Sequence, residues 1–227
     1  MAGTKVAVVF DVNETLLELR ALEGPFERVF GDAGVRREWF QQVLQSALVL
    51  TITGPYADFG AIGRAALEMV AVRRSRRIDA DEAAAILGTI RQLPAHPEVG
   101  EALDRLHGAG HRLATLTNST EAVARAQLEH AGLTDLFERI LSADSVGRLK
   151  PAPEPYEMAA RELGVGVADM WLVAAHAWDV AGASRAGCRT AFVARPGMVP
   201  DPLAPPPDII GNDLGEIADR LLTLDPP

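Results

Sequence analysis

Apolar positions along the chain fall into two rhythms that alternate. Short unbroken apolar runs occur at residues 5–10, 112–116, 170–174 and 190–194, each too brief for a helix and rich in valine, leucine or alanine. Such runs read as strands buried on both faces. Between them apolar residues recur at helical spacing, which predicts helices near 97–109, 120–131, 153–163 and 180–186. Gly110, Gly132, Gly164 and Gly187 stand where a helix ends in a left-handed residue. Strand and helix in turn predict an α/β fold, a parallel sheet covered by helices on both faces. A last strand is expected at 208–210, after the proline-rich loop 200–207.

Residues 16–95 break that alternation. Here the pattern is helix after helix, at 25–30, 36–50, 56–73 and 80–90, with no strand-like run between them. The chain therefore reads as a core of residues 1–15 and 96–227, with a helical unit, 16–95, inserted after the first strand. Formal charges cancel within the insert, so the core carries the whole net charge of −9. An excess of that sign argues against a nucleic-acid or acidic-membrane partner, since both recruit clustered Lys and Arg, and leaves a small molecule as the expected partner. The one basic cluster, at 73–77, reads as a solvated helix end.

At 48% hydrophobic and 23% charged, 227 residues suffice for a full core, which excludes a disordered or fibrous chain. Cys188 is the single cysteine; it has no intrachain disulfide partner and no ligand neighbour at metal spacing, so it reads as a small buried apolar residue. No apolar run is long enough to span a bilayer, and no signal-peptide pattern precedes the first strand. A cytoplasmic location is expected; homodimer formation is left open.

In an open parallel sheet, ligands bind beyond the carboxyl ends of the strands, so the residues just after each apolar run converge. Those residues are Asp11, Asn13 and Thr15; then Thr117, Asn118 and Ser119; then His176 and Asp179, and Lys150 joins them from just before the helix at 153–163. A buried carboxylate stays ionised and nucleophilic only beside a cation, and Lys150 supplies one for Asp11. Thr117 and Asn118 can bind a substrate carboxylate or phosphate without adding charge. Asp179 can orient Lys150, orient the water that cleaves a covalent ester, or ligate Mg²⁺. Thr15 suits a bond to the Asp11 carboxylate. Trp39 and Trp178 read as core, and His96, His107, His111 and His130 as solvated loop or helix-end residues, with no metal cluster among them.

These segments resemble the motifs of the haloacid dehalogenase superfamily, and more closely its 2-haloacid dehalogenase branch. Phe10-Asp11-Val12-Asn13-Glu14-Thr15-Leu16 resembles the first motif, and Leu116-Thr117-Asn118-Ser119 the second. Lys150-Pro151 with Tyr156 resembles the third, and His176-Ala177-Trp178-Asp179 with Gly182 the fourth. The resemblance implies a Rossmann-like core, a helical cap at 16–95 that closes over the substrate, and Asp11 as a covalent nucleophile. It also implies Lys150, Asp179, Thr15 and His176 as catalytic, and Asn13, Thr117, Asn118, Tyr156, Phe40 and Gln41 around a small substrate that carries a carboxylate.

Two departures separate the chain from the superfamily's phosphatases. Asn13 stands where they place an acid that protonates the leaving oxygen, and Ala175 stands where they place a metal-binding acid. Halide departure needs neither proton nor metal, so a dehalogenase without a cofactor is expected. A Mg²⁺-dependent small-molecule phosphatase, with the ion on Asp11 and Asp179, is the alternative; a binding protein that has lost turnover is the second. The chain departs from the dehalogenase pattern too. Asn13 replaces an aromatic residue, Phe40 a halide-receiving arginine and His176 an asparagine. A protonated His176 would restore the cation missing at Phe40; a neutral one would activate water.

Overall fold

The computed structural model describes residues 6–224. Six parallel strands form one sheet: β1 (Ala7–Phe10), β2 (Arg112–Thr117), β3 (Arg139–Ser142), β4 (Met170–Ala174), β5 (Arg189–Val193) and β6 (Ile209–Gly211). Their order is β3-β2-β1-β4-β5-β6. β1 is thus central, with Ala7 in register with Arg112 on one side and with Met170 on the other. The chain crosses from one half of the sheet to the other at β1, the kind of switch point at which α/β sheets bind ligands. Strand pleating sends Val8 and Phe10 to one apolar layer and Ala7 and Val9 to the opposite one, and all four are fully buried.

Helices cover both layers. α5 (Val99–Gly108), α6 (Glu121–His130) and α9 (Leu214–Leu224) pack on the first, and α7 (Pro153–Leu163) and α8 (Ala177–Ala186) on the second. Gly110, Gly132, Gly164 and Gly187 all adopt positive φ after the helices they follow, as expected of helix-ending glycines.

The insert holds α1 (Glu23–Phe30), α2 (Val35–Thr53), α3 (Phe59–Arg73) and α4 (Ala80–Thr89). Its interior is tied by Trp39, whose indole N–H donates to the Gly63 carbonyl at 2.9 Å and whose ring lies 5.5 Å from that of Phe26. Where chain enters and leaves, the two connections pair: Glu18 N donates to Pro94 O at 2.8 Å and His96 N to Leu16 O at 3.0 Å. The apolar interior of the insert runs without a break into the first layer of the sheet.

Several elements differ from the sequence reading. The described first strand begins at Ala7; Lys5 lies outside the described residues. β3 has no counterpart among the expected strands, because only four residues form it, with an arginine at its head, at the sheet edge. α9 was likewise not expected, although Leu214, Ile217, Ala218 and Leu221 carry a full helical stripe. α3 starts at Phe59 rather than at residue 56, because the Asp58 carboxylate accepts from the N–H groups of Gly60 and Ala61 and caps it there. α8 begins at Ala177, directly after His176, three residues ahead of the expected start.

Candidate active site

The carboxyl ends of β1, β2 and β4 bring the expected polar residues together, and Asp11 lies at their centre, only 5% exposed. The Lys150 ammonium donates to Asp11 Oδ1 at 2.9 Å, to Asp179 Oδ2 at 2.5 Å and to the Leu116 carbonyl at 2.8 Å, which uses all three of its protons. Thr15 donates its hydroxyl proton to Asp11 Oδ2 at 2.7 Å and accepts the Ala175 N–H at 3.0 Å, so the turn after β4 holds the turn after β1. Burial alone would raise the Asp11 carboxyl. Lys150, His176 and Thr15 overcome it and hold the group below the usual carboxylate range, as a nucleophile requires. Burial acts against the Lys150 charge as well, but Asp11 and Asp179 outweigh it and raise the ammonium above its ordinary value.

Asp179 is fully buried; burial raises its carboxyl, an effect that Lys150 opposes. The Tyr156 hydroxyl donates to its Oδ1 at 2.6 Å. Tyr156 thus orients Asp179 from a buried position in α7 rather than facing a substrate. Asn118 also differs from its expected part: its Oδ1 accepts the Lys150 N–H at 2.8 Å and its Nδ2 donates to the Lys150 carbonyl at 3.2 Å. With both ends of the amide committed, the side chain fixes the lysine loop. Thr117 Oγ1 accepts the Ser119 N–H at 3.1 Å, and Ser119 Oγ accepts from Asn13 Nδ2 at 3.2 Å, so each hydroxyl keeps its own proton to donate. Gln127 of α6 holds the other end of Asn13, donating to its Oδ1 at 2.9 Å and to the Ile90 carbonyl of the insert at 2.9 Å.

His176 is buried against Asp11, with Nδ1 3.3 Å from Asp11 Oδ2 and Nε2 3.0 Å from Glu14 Oε2. Burial would lower its pKa, but these two carboxylates raise it to about 9, so the ring is an imidazolium at neutral pH. Phe40 and Trp178 flank it, with ring centroids at 6.0 and 5.2 Å. Phe40 therefore does reach the site, as a wall of the cation, whereas Gln41, on the next position of α2, is exposed.

Trp178 corrects the sequence reading: it stacks on His176 and its ring lies 5.9 Å from the Lys150 ammonium, so it covers the site instead of filling the core. Glu14 is the residue that sequence reasoning missed. It turns toward His176 because its backbone takes a left-handed φ of 64°, and Arg36 lies 3.4 Å from its other oxygen. Its only signal is its place beside Thr15 in the first motif.

A divalent ion on Asp11 and Asp179 does not fit this donor set. Lys150 occupies the space between the two carboxylates, Tyr156 takes the remaining oxygen of Asp179, and Ala175 offers only a methyl group. Among the described residues no group of three or more His, Cys, Asp or Glu could hold a metal. No described helix is long and apolar enough to cross a membrane.

Residues 6–187 match the model of the haloacid dehalogenase-like hydrolases. The (S)-2-haloacid dehalogenase of Xanthobacter autotrophicus is 30% identical over 83% of this chain and 75% of its own. The (S)-2-haloacid dehalogenase 4A of Burkholderia cepacia is 30% identical over 88% of each. The L-2-haloacid dehalogenase of X. autotrophicus, solved with chloropropionic acid covalently bound, superposes with a TM-score of 0.90 at 27% identity, covering 97% of this chain and 99% of that one. With Asp11, Lys150 and Asp179 joined by one ammonium beyond a parallel sheet, and with these relatives spanning nearly the whole length, this chain belongs to the haloacid dehalogenase-like hydrolases.

Proposed function

We propose that this hydrolase removes halide from 2-haloacids with Asp11 as the nucleophile, in the cytoplasm and without a metal or other cofactor. In the first step an Asp11 oxygen attacks C2; the C2–halogen bond breaks, its electron pair leaves as halide, and an ester joins C2 to the carboxylate. Phe40 is no halide receiver, so the imidazolium of His176 takes that part, freed from Asp11 as the ester cancels the carboxylate charge. In the second step water attacks the ester carbonyl carbon. The solvent oxygen stays on Asp11, the 2-hydroxy acid leaves with an oxygen that Asp11 had carried, and one proton is released. Asp179 is the base we assign to that water, its carboxyl raised by burial and fixed by Lys150 and Tyr156. The hydroxyls of Thr117 and Ser119 are assigned to the substrate carboxylate.

One observation carries the reading: a buried Asp11 held ionised by the Lys150 ammonium, which also bridges it to Asp179. The relative solved with a covalently bound chloropropionic acid supports the ester step. Single turnover of 2-chloropropionate in ¹⁸O-water, with the metal chelated, tests it. The label should appear in the Asp11 carboxylate and not in the first equivalent of product. Label going straight into product would refute a covalent step, and a folded Asp11→Asn protein that still releases halide would refute the choice of nucleophile.

A further inference from the structure

Between α2, α3 and α4 of the insert and the start of α6 lies an open cavity of about 440 Å³. A cavity of about 150 Å³ already holds a benzene ring, so this one exceeds the needs of a two- or three-carbon acid roughly threefold. Trp39, Val43, Phe59, Leu87 and Ile90 give it apolar walls.

The cavity borders the candidate active site through shared residues, while Asp11, Lys150, His176 and Asp179 do not line it. Asn13 and Ser119, hydrogen-bonded to each other, belong to both, and so does Phe40, whose other contact is the ring of His176. His176 in turn touches Asp11, so a single histidine ring separates that wall from the nucleophile. Phe40 makes the near wall apolar at the position where the dehalogenase pattern has an arginine. Arg64 and Arg91 also line the cavity, both from exposed positions. Asp58 also lines it, but its Oδ1 is committed to the N–H groups of Gly60 and Ala61.

We propose that this cavity is a tail pocket and that the preferred substrates are 2-haloacids with an apolar tail of about four or more carbons beyond C2. The proposal rests on the dehalogenase reading for its reaction but not for its binding, and the experiment separates the two. Halide release is measured without metal for 2-bromopropionate, 2-bromobutanoate, 2-bromohexanoate and 2-bromooctanoate. In parallel, calorimetry follows binding of the plain alkanoates of the same lengths to the native protein. Each added methylene should raise kcat/KM, and the alkanoate affinity, about three- to fourfold until the cavity is full. Ala84→Trp, from an exposed position on the cavity wall, should lower the long-to-short ratio in both assays about tenfold, and Ala84→Leu should lower it less.

Turnover of 2-bromopropionate with no dependence on tail length, or a length dependence untouched by Ala84→Trp, would overturn the tail pocket and leave the reaction standing. Affinity that climbs with alkanoate length and is blocked at position 84, with no halide from any acid, would support the pocket and overturn the dehalogenase reading. Silence in both assays would overturn both.

Discussion

His176 is where a single side chain decides the charge of the site, and its partners set a measurable pH dependence. Asp11 and Glu14 contact the ring directly. Arg36 lies behind Glu14, Lys150 and Asp179 lie behind Asp11, and Phe40 and Trp178 cover its faces. The folded pKa of about 9 lies above the ordinary 6.5, so the stabilisation from these contacts is complete below about pH 6.5 and is lost as pH rises through 9. A shift of that size is worth about 3 kcal/mol of folding stability. Activity should follow the same limb if the imidazolium receives halide: kcat/KM flat to about pH 8 and falling beyond 9. His176→Asn should abolish the limb and lower kcat/KM about 10²-fold. Glu14→Gln should keep the histidine but bring the limb down by about one pH unit, because one of two carboxylates is gone. Activity that rises across this range would assign His176 to water activation instead. Asp11 and Asp179 are legible in the sequence because strand ends announce them, and Lys150 because it stands just before a helix in a segment that resembles the third motif. Glu14 is not, since its direction depends on a left-handed backbone that no residue type at that position requires.

At the scale of elements, the site depends on how closely α8 approaches the lysine loop. A β-carbon on Gly182 would come within 2.5 Å of Pro151 Cβ and 2.8 Å of the Tyr156 hydroxyl, so only glycine permits the contact that sets Lys150 and Asp179 side by side. Gly182→Ala should therefore push α8 outward, cost about 1–3 kcal/mol in denaturant unfolding, and lower kcat more than that loss would by leaving part of the protein unfolded. A substitution neutral in both would mean that the loop yields without disturbing the ammonium. The same scale separates what sequence pattern reveals from what it hides. β1, β2, β4 and β5 are legible because burial on both faces makes them unbroken apolar runs. β3 is hidden because an edge strand of four residues can open on Arg139 and end on Ser142. The polar side chains of Asn118 and Tyr156 are visible as site residues, but not their task. Only the fold shows that they hold Lys150 and Asp179, which are 32 and 23 residues away.

The insert and the core share one apolar interior, and that bears on how the molecule behaves as a whole. Leu22, Phe26, Trp39, Leu67, Val70 and Ile86 of the insert belong to the same continuous cluster as Val8, Phe10 and Trp171 of the sheet. The paired connections at Leu16–Glu18 and Pro94–His96, the Gln127 bond to Ile90, and the Tyr56 hydroxyl bond to Asp144 add polar ties between the two. A helical unit attached in this way has little separate stability, since its apolar stripe is satisfied partly by the sheet. Cap and core should accordingly unfold in one cooperative step, and a cavity made in the cap should weaken the core equally. Ile86→Ala, at a fully buried position, should cost about 2–5 kcal/mol. That loss should appear at the same denaturant midpoint for Trp39, in the insert, and for Trp171, in the sheet, when each is followed as the only tryptophan. Two midpoints, with Ile86→Ala moving only that of Trp39, would show an independently folding cap. In that case the insert can open by local unfolding, whereas a shared midpoint restricts any opening to motion as a rigid unit on its two connections.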